Sequence, residues 1–291
     1  MSYMHIANLY KAQEILLFRR CYAMEKIHGT SAHVHWSGAT VTFFSGGESH
    51  ERFKGLFDEI ALAAKFAEKF GALSGATVYG EAYGGKCMGM SATYGKELRF
   101  IAFEVKVGES WLSVPQAQEV VDFIGLEFVP WHEIDATLPE IERWRDTPSE
   151  VAARLGTGEH LREGVVLRPP FEVVMNNGAR VIAKHKRAEF EERATIPEVD
   201  PSKREMIEQA DAIAEEWVTA MRLTHVLDGI RARRRSFDGW DMKDTGDVIK
   251  AMVEDVVREA TDEIRDSKAA RKAIGRKAAQ MFKQMVGVVQ R

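Results

Sequence analysis

The chain has 291 residues, 45% hydrophobic and 29% charged, enough apolar material for one large core or two of ordinary size and too much for a disordered chain. No apolar run approaches the ~20 residues that a membrane crossing needs. The start of the chain lacks the charged head and apolar stretch of a secretory signal, and Cys21 and Cys87 read as reduced thiols too few to build a metal site, so the expected compartment is the cytoplasm. The net charge of −4 excludes a uniformly basic nucleic-acid binder, but the charge is uneven. Arg231, Arg233, Arg234 and Arg235 form one basic cluster; Arg271, Lys272, Arg276, Lys277 and Lys283 form another. Local patches, not net charge, set the field that a phosphate backbone feels, so both clusters are candidate nucleic-acid contacts.

In chain order, Ala32–Trp36 and Thr40–Phe44 alternate around Ser37-Gly38 and predict a hairpin. Apolar residues at Phe53, Leu56, Phe57, Ile60, Ala64 and Phe70 predict a helical face over Glu51–Phe70. Short strands are predicted at Thr77–Tyr79, Leu98–Val107, Gly164–Leu167 and Arg180–Ala183, each bounded by glycine or proline. A helix is predicted to open at Thr147-Pro148-Ser149-Glu150, with Thr147 as the cap, and to close at Gly156. Beyond Pro197 and Pro201 proline disappears, and the stretch from Lys203 to Val289 predicts amphipathic helices broken near Ser236–Gly239 and near Thr245-Gly246. The fold class is therefore α+β: a mixed domain over residues 1–200, then an all-helical domain over 201–291.

Two motifs are set aside. Gly80 to Cys87 has the glycine and lysine spacing of a phosphate-binding loop, but Cys87 stands where that loop needs a magnesium-binding hydroxyl. His28, His33 and His35 lack the Cys, Asp or Glu that would complete a zinc site, and they read as ordinary hairpin histidines.

Lys26, in Glu25-Lys26-Ile27-His28-Gly29-Thr30, is different. A lysine amine attacks phosphorus only when neutral, and an ordinary lysine pKa of ~10.4 keeps it protonated at pH 7. A site that uses one supplies further cations, which favour the neutral form and hold phosphate oxygens. Lys184 and Lys186 sit two apart, so in a strand both point to one side. Gly29 lets the backbone approach a ligand closely. Glu81 and Glu163 are carboxylates for ribose hydroxyls and a divalent metal.

In order, these pieces resemble the covalent nucleotidyltransferase superfamily of DNA ligases, RNA ligases and mRNA capping enzymes. Glu25-Lys26-Ile27-His28-Gly29-Thr30 resembles its nucleophile motif, Val78-Tyr79-Gly80-Glu81 its third motif, and Ile101-Ala102-Phe103-Glu104-Val105 the strand that carries a base-stacking aromatic. Glu163-Gly164-Val165-Val166 and Ala183-Lys184-His185-Lys186 resemble the fourth and fifth. His28, where DNA ligases and capping enzymes usually have Asp, and a helical tail in place of an OB-fold, resemble the nick-sealing RNA ligases. The resemblance implies an ATP-grasp-like nucleotidyltransferase domain of antiparallel sheets with helices, followed by an all-α domain. It also implies an ATP-dependent RNA ligase using Mg2+ or Mn2+ and acting on RNA, with nicked duplex as the expected form. Lys26 is then the nucleophile and His28 a second catalytic residue. Glu25, Ile27, Gly29, Glu81, Phe103, Glu163, Lys184 and Lys186 line the nucleotide, with Glu163 on the metal. A small DNA ligase, an RNA guanylyltransferase and a non-catalytic nucleic-acid-binding relative are the alternatives. Two departures stand out. Ser31 replaces an expected Asn, and Phe44-Ser45-Gly46-Gly47 lacks the phosphate-binding Arg expected there, the next arginine being Arg52.

Overall fold

The computed structural model describes residues 3–71, 75–175, 178–191, 210–234, 237, 239–261 and 263–289, with side chains as far as residue 286. The chain divides into two compact units, Met1–Arg187 and Ala188–Arg291. The boundary expected near residue 200 lies outside the described residues.

Among the described residues the first unit holds nine strands: β1 (Arg20–Lys26), β2 (Thr30–Trp36), β3 (Val41–Ser45), β4 (Ala76–Gly84), β5 (Leu98–Val107), β6 (Ser110–Trp111), β7 (Trp131–Asp135), β8 (Gly164–Arg168) and β9 (Ala183–Lys186). They form two antiparallel sheets, ordered β7-β1-β8-β9 and β3-β2-β4-β5-β6. Its helices are α1 (His50–Lys54), α2 (Glu59–Phe70), α3 (Ser91–Tyr94), α4 (Val114–Phe123), α5 (Leu138–Arg145) and α6 (Glu150–Arg154).

Period-two alternation decides which face of the larger sheet carries the site. Ala32, Val34 and Trp36 of β2 join Val78, Ala82 and Val105 in a core with Phe53, Phe66 and Val120 from the helices. The opposite face therefore presents Ser31, His33, Tyr79 and Glu81, all half-buried.

Four local expectations change. The helical face over Glu51–Phe70 is two helices, because the chain turns after Gly55 and Asp58 caps α2 by accepting from the N–H of Ile60 and Ala61. Ser149, not Thr147, caps α6, accepting from Ala152 N–H, while the Thr147 hydroxyl donates to Trp144 O. The last strand starts at Ala183 rather than Arg180, since β8 ends at Arg168 and Pro169-Pro170 offers no N–H for residues 180–182 to pair with. Helix α4, capped by a reciprocal Ser113–Gln116 pair with Pro115 in its first turn, was not anticipated.

In the second unit α7 (Ala210–Trp217), α8 (Ala220–Ala232), α9 (Thr245–Glu259) and α10 (Lys268–Val289) bury Trp217, Leu223, Leu227, Met252, Ile274 and Phe282. Thr245-Gly246 starts α9 instead of breaking a helix, and an unforeseen break before α8 is capped by Thr219. A buried Arg222–Asp255 pair, 2.5 Å apart, ties α8 to α9. The basic clusters carry their own counter-charges. Arg231 pairs with Asp228, Arg234 with Asp244 and Asp247, Arg271 with Asp266, Arg276 with Asp211 and Lys277 with Glu215. Arg235 lies outside the described residues. Among the described residues, no helix is long and apolar enough to cross a membrane.

Candidate active site

Lys26 ends β1, where the cross-strand register places it opposite Gly164 of β8, which in turn faces Lys186 of β9. Three strands thus converge on Glu163, the residue before β8. Its Oε2 lies 2.9 Å from Lys26 Nζ, its Oε1 lies 3.0 Å from Lys186 Nζ, and His28 Nδ1 stands 4.0 Å from Oε2. Glu163 and Lys186 are buried, whereas the Lys26 side chain keeps 22% of its exposure, so Lys26 opens further to solvent than Glu163 or Lys186. Burial alone would raise the Glu163 pKa. Lys26, Lys186 and His28 outweigh it and hold the carboxyl anionic, with a pKa of about 2.

Gly29 lies where the chain passes from β1 to β2 against β4. A Cβ there would stand 2.3 Å from Ala82 O and 2.8 Å from Glu81 Cγ, so only glycine brings the lysine loop into contact with Glu81. Lys184 pairs with Val166, two residues along β9 from Lys186 and on the same face, about 7 Å away by strand geometry. Phe103 is the extra residue of a β-bulge: Tyr79 pairs with Glu104 and Gly80 with Ala102, which leaves Phe103 without a cross-strand partner. It is half-buried against the core, as is Val166 of the other sheet.

Glu25 and Ile27 contribute differently from the rest. The Ile27 side chain belongs to the core. The Glu25 carboxylate accepts from Ser149 Oγ at 2.5 Å and from the N–H of Glu150 and Val151 at 2.9 and 3.4 Å, at the start of α6. Only the backbone of these two residues is left for a ligand. Arg162, just before Glu163, donates to Pro148 O at 2.8 Å and lies 3.9 Å from Glu25. The immediate neighbours of Lys26 and of Glu163 are therefore locked to one helix terminus. A further support, also missed from sequence, is the buried Tyr94, whose hydroxyl accepts from His28 N–H at 3.5 Å. The available signal was the unbroken charge of Glu25-Lys26 and Arg162-Glu163, where a buried neighbour needs a partner.

Gly80–Gly84 lies in β4, and Cys87 Sγ donates to Ala82 O. His33 stacks on Phe44 with ring centres 4.9 Å apart, and His35 Nδ1 sits 2.8 Å from Thr77 Oγ1. Among the described residues no three His, Cys, Asp or Glu side chains group as a metal cage. Cys21 and Cys87 are both buried and are not joined in a disulfide. His185 lies on the face of β9 opposite Lys184 and Lys186, where its Nε2 accepts from Arg145 at 2.9 Å. Arg52 pairs with Glu48 on α1. The glycine loop stands instead where the missing arginine was expected: Gly46 N–H donates to Ser31 O, and Gly47 packs so closely on Thr30 that a Cβ would come within 2.6 Å of its hydroxyl.

The sequence pattern of the RNA ligase family matches residues 19–186, more than half of the chain. Among solved structures, RNA ligase of Naegleria gruberi is similar. A lysine-to-alanine variant with ATP and manganese superposes with a TM-score of 0.51, and a lysine-to-methionine variant with AMP and manganese with 0.50. Each is 13% identical in sequence and covers 65% of this chain and 57% of its own, so the chain spans little more than half the length of that enzyme. No curated protein sequence matches the chain. The structural likeness concerns the fold of two antiparallel sheets with helices. The matched span contains every residue of the Lys26–Glu163–Lys186 cluster, and the chain belongs to the RNA ligase family.

Proposed function

We propose that this chain is an ATP-dependent RNA ligase that joins 3′-hydroxyl and 5′-phosphate ends through a lysyl-AMP intermediate, sealing nicks in duplex RNA or RNA-containing duplexes. The observation that carries the reading is one buried carboxylate, Glu163, shared by Lys26 and Lys186 with His28 beside it. The cluster has more cations than anions at a point of low dielectric, and such an excess favours an anionic ligand such as a triphosphate.

In the first step the neutral Lys26 amine forms a bond to the α-phosphorus of ATP while the bond to pyrophosphate breaks. The amine proton passes to solvent, because Glu163, anionic with a pKa of about 2, is too weak a base to keep it. Lys184 and Lys186 hold the α-phosphate oxygens, Glu81 the ribose, and Phe103 stacks on adenine. AMP then moves from Lys26 to a 5′-phosphate, with His28 placed beside Glu163 for this later stage. Finally a 3′-hydroxyl attacks the activated phosphate and AMP leaves. Positioning and charge neutralisation do the work, as in other phosphoryl transfers.

A divalent cation fits Glu163 if it takes its other ligands from phosphate oxygens and water, as Mg2+ and Mn2+ do at substrate phosphates. When bound it would neutralise charge on the transferring phosphoryl group. The basic clusters of the second unit, around Arg231, Arg233 and Arg234 and around Arg271, Lys272, Arg276 and Lys277, would engage RNA by exchanging their carboxylate partners for phosphates.

The test is covalent labelling with α-labelled ATP and magnesium. We expect an acid-labile, alkali-stable, pyrophosphate-reversible protein–AMP adduct that Lys26→Ala abolishes. No adduct, an adduct that survives Lys26→Ala, or exclusive labelling by GTP overturns the reading. Faster sealing of a nicked all-DNA duplex than of its RNA counterpart would reassign the substrate.

A further inference from the structure

We infer that the N-terminal segment Tyr3–Leu9 is a strap that builds the base end of the nucleotide site, with Tyr3 a positioning residue for Phe103. The inference rests on the functional reading above and adds residues that it does not use.

The segment has no helix or strand of its own, and its two ends are fixed to different sheets. At one end the Tyr3 ring packs edge-on against Phe103, with centres 4.9 Å apart and planes at 76°, and also touches Tyr79 at 5.1 Å and Trp111 at 6.1 Å. At the other end Lys184 N–H donates to Ala7 O at 2.9 Å, and Leu9 N–H donates to Lys184 O at 2.8 Å. One short segment thus holds both the residue proposed to stack on the base and the backbone of a residue proposed to hold phosphate.

Phe103 needs such a neighbour. As the bulged residue of β5 it has no cross-strand partner to set its side-chain direction, and the edge-on contact with Tyr3 supplies one. Tyr3 is fixed in turn. Its hydroxyl donates to the buried Glu104, which also takes Arg168 at 2.6 Å and Arg180 at 2.5 Å. Arg168 lies on β8 and Glu104 on β5, so this ion-pair group latches the two sheets together beside Phe103. Glu172 closes the group by pairing with both arginines, and the Arg180 guanidinium lies 4.1 Å from the Trp111 ring centre. Burial and then Glu104 push the Tyr3 phenol well above its ordinary pKa, so the hydroxyl remains a donor across the working range. The family match begins at residue 19, so the strap itself lies before the matched span.

The experiment compares wild type, Tyr3→Ala and Tyr3→Phe in the rate of lysyl-AMP formation against ATP concentration, with pyrophosphate inhibition measured alongside. Wild-type labelling is scored first: without an adduct the functional reading falls, and the strap with it. Given an adduct, Tyr3→Ala is expected to raise KM for ATP about tenfold, the scale of a lost aromatic contact, with the maximal rate within about twofold of wild type. Tyr3→Phe, which keeps the ring and loses the bond to Glu104, is expected to fall between. Pyrophosphate inhibition should stay unchanged in both, because the phosphate end is held by lysines that Tyr3 does not touch. An unchanged KM in Tyr3→Ala sinks the strap alone. A lowered KM means that the ring blocks the site and overturns the inference. A loss shared equally by maximal rate and pyrophosphate inhibition reduces Tyr3 to general stability and overturns it as well.

Discussion

Glu163 and Asp211 are both carboxylates within ion-pair distance of a basic side chain, at 2.9 Å from Lys26 and 2.5 Å from Arg276. There the likeness ends. The Glu163 side chain is 4% exposed and serves two lysines with a histidine close by, while Asp211 is 82% exposed and answers a single arginine. In water an ion pair is worth little, and each partner can leave for another at small cost. Away from water, an unbalanced group of cations around one carboxylate is poorly satisfied until an anion arrives, and removing that carboxylate leaves charges with no compensation. The first unit concentrates charge around Glu163 where it is strong, whereas the basic clusters of the helical unit, unlike its buried Arg222–Asp255 pair, carry charge where it is weaker and exchangeable. That division suits a chemical step in one place and reversible contact with a long polyanion in the other.

The sharpest way to break the comparison is Glu163→Ala. It removes the carboxylate that Lys26 and Lys186 share and should destabilise the first unit by roughly 3–5 kcal/mol, measured by denaturant unfolding. Inorganic phosphate in the buffer should recover part of that loss by standing in for the carboxylate. Lysyl-AMP formation should fall by at least ~100-fold. Asp211→Ala is the control, expected to leave the unfolding midpoint within measurement error. An Asp211→Ala loss as large as that of Glu163→Ala would erase the distinction.

Next in size is Gly29→Ala. The added methyl group meets Ala82 O and Glu81 Cγ at less than contact distance, so β4 must shift. We expect a loss of about 1–3 kcal/mol. Lysyl-AMP formation should slow by roughly 10–100-fold as Glu81 is displaced from the nucleophile loop. Full activity in Gly29→Ala would mean that the approach of loop to strand is not what places Glu81.

How much of this was legible in sequence differs by residue. Residue type singles out Lys26, Glu163 and Lys186, and strand register brings the three together across β1, β8 and β9. The β2–β3 hairpin was legible from alternation around Gly38. Helix α1 and helix α2 were not separable by periodicity, since the apolar spacing runs on through the turn that Asp58 caps. The roles of Glu25 and Phe103 depend on details that no spacing encodes: the first has its carboxylate in the terminus of a helix over a hundred residues away, and the second stands at a register slip. The partners of the basic clusters were not legible either. In sequence Arg276 and Lys277 have no acid within a helical turn, and folding supplies Asp211 and Glu215 from α7.

Acid separates the buried groups from one another. Burial and then Arg145 lower the His185 pKa from 6.5 to about 4. Between those values the unfolded chain binds a proton that the folded chain refuses, so the stability it contributes is complete above pH ~6.5 and is lost as pH falls to 4, by roughly 3 kcal/mol at most. Glu163 has the opposite chemistry and a lower window: its contribution is complete above the ordinary carboxylate range and is lost only as pH falls toward 2. Burial lowers His33 in the same way, so the readout is the difference between wild type and His185→Gln, whose unfolding free energy should fall less between pH 6.5 and 4. Parallel curves for the two proteins would remove His185 from the account.

The smallest effect, and the one that bears on RNA, is charge reversal at Arg276 and Lys277. Both side chains pair with acids of α7, and only the Lys277 side chain is largely covered. The double substitution to glutamate places four carboxylates together on the α7–α10 face, so it should be made with Asp211→Lys and Glu215→Lys as a compensated partner. If the clusters contact phosphates, the uncompensated variant weakens RNA binding and flattens its dependence on salt by about two phosphates' worth of released counterions, while lysyl-AMP formation is unchanged. The compensated variant keeps the ion pairs and the net charge but moves the positive groups to α7, so it recovers stability without recovering the same RNA affinity. Equal RNA affinity in wild type and both variants returns the cluster to a solvated surface whose charges answer only each other.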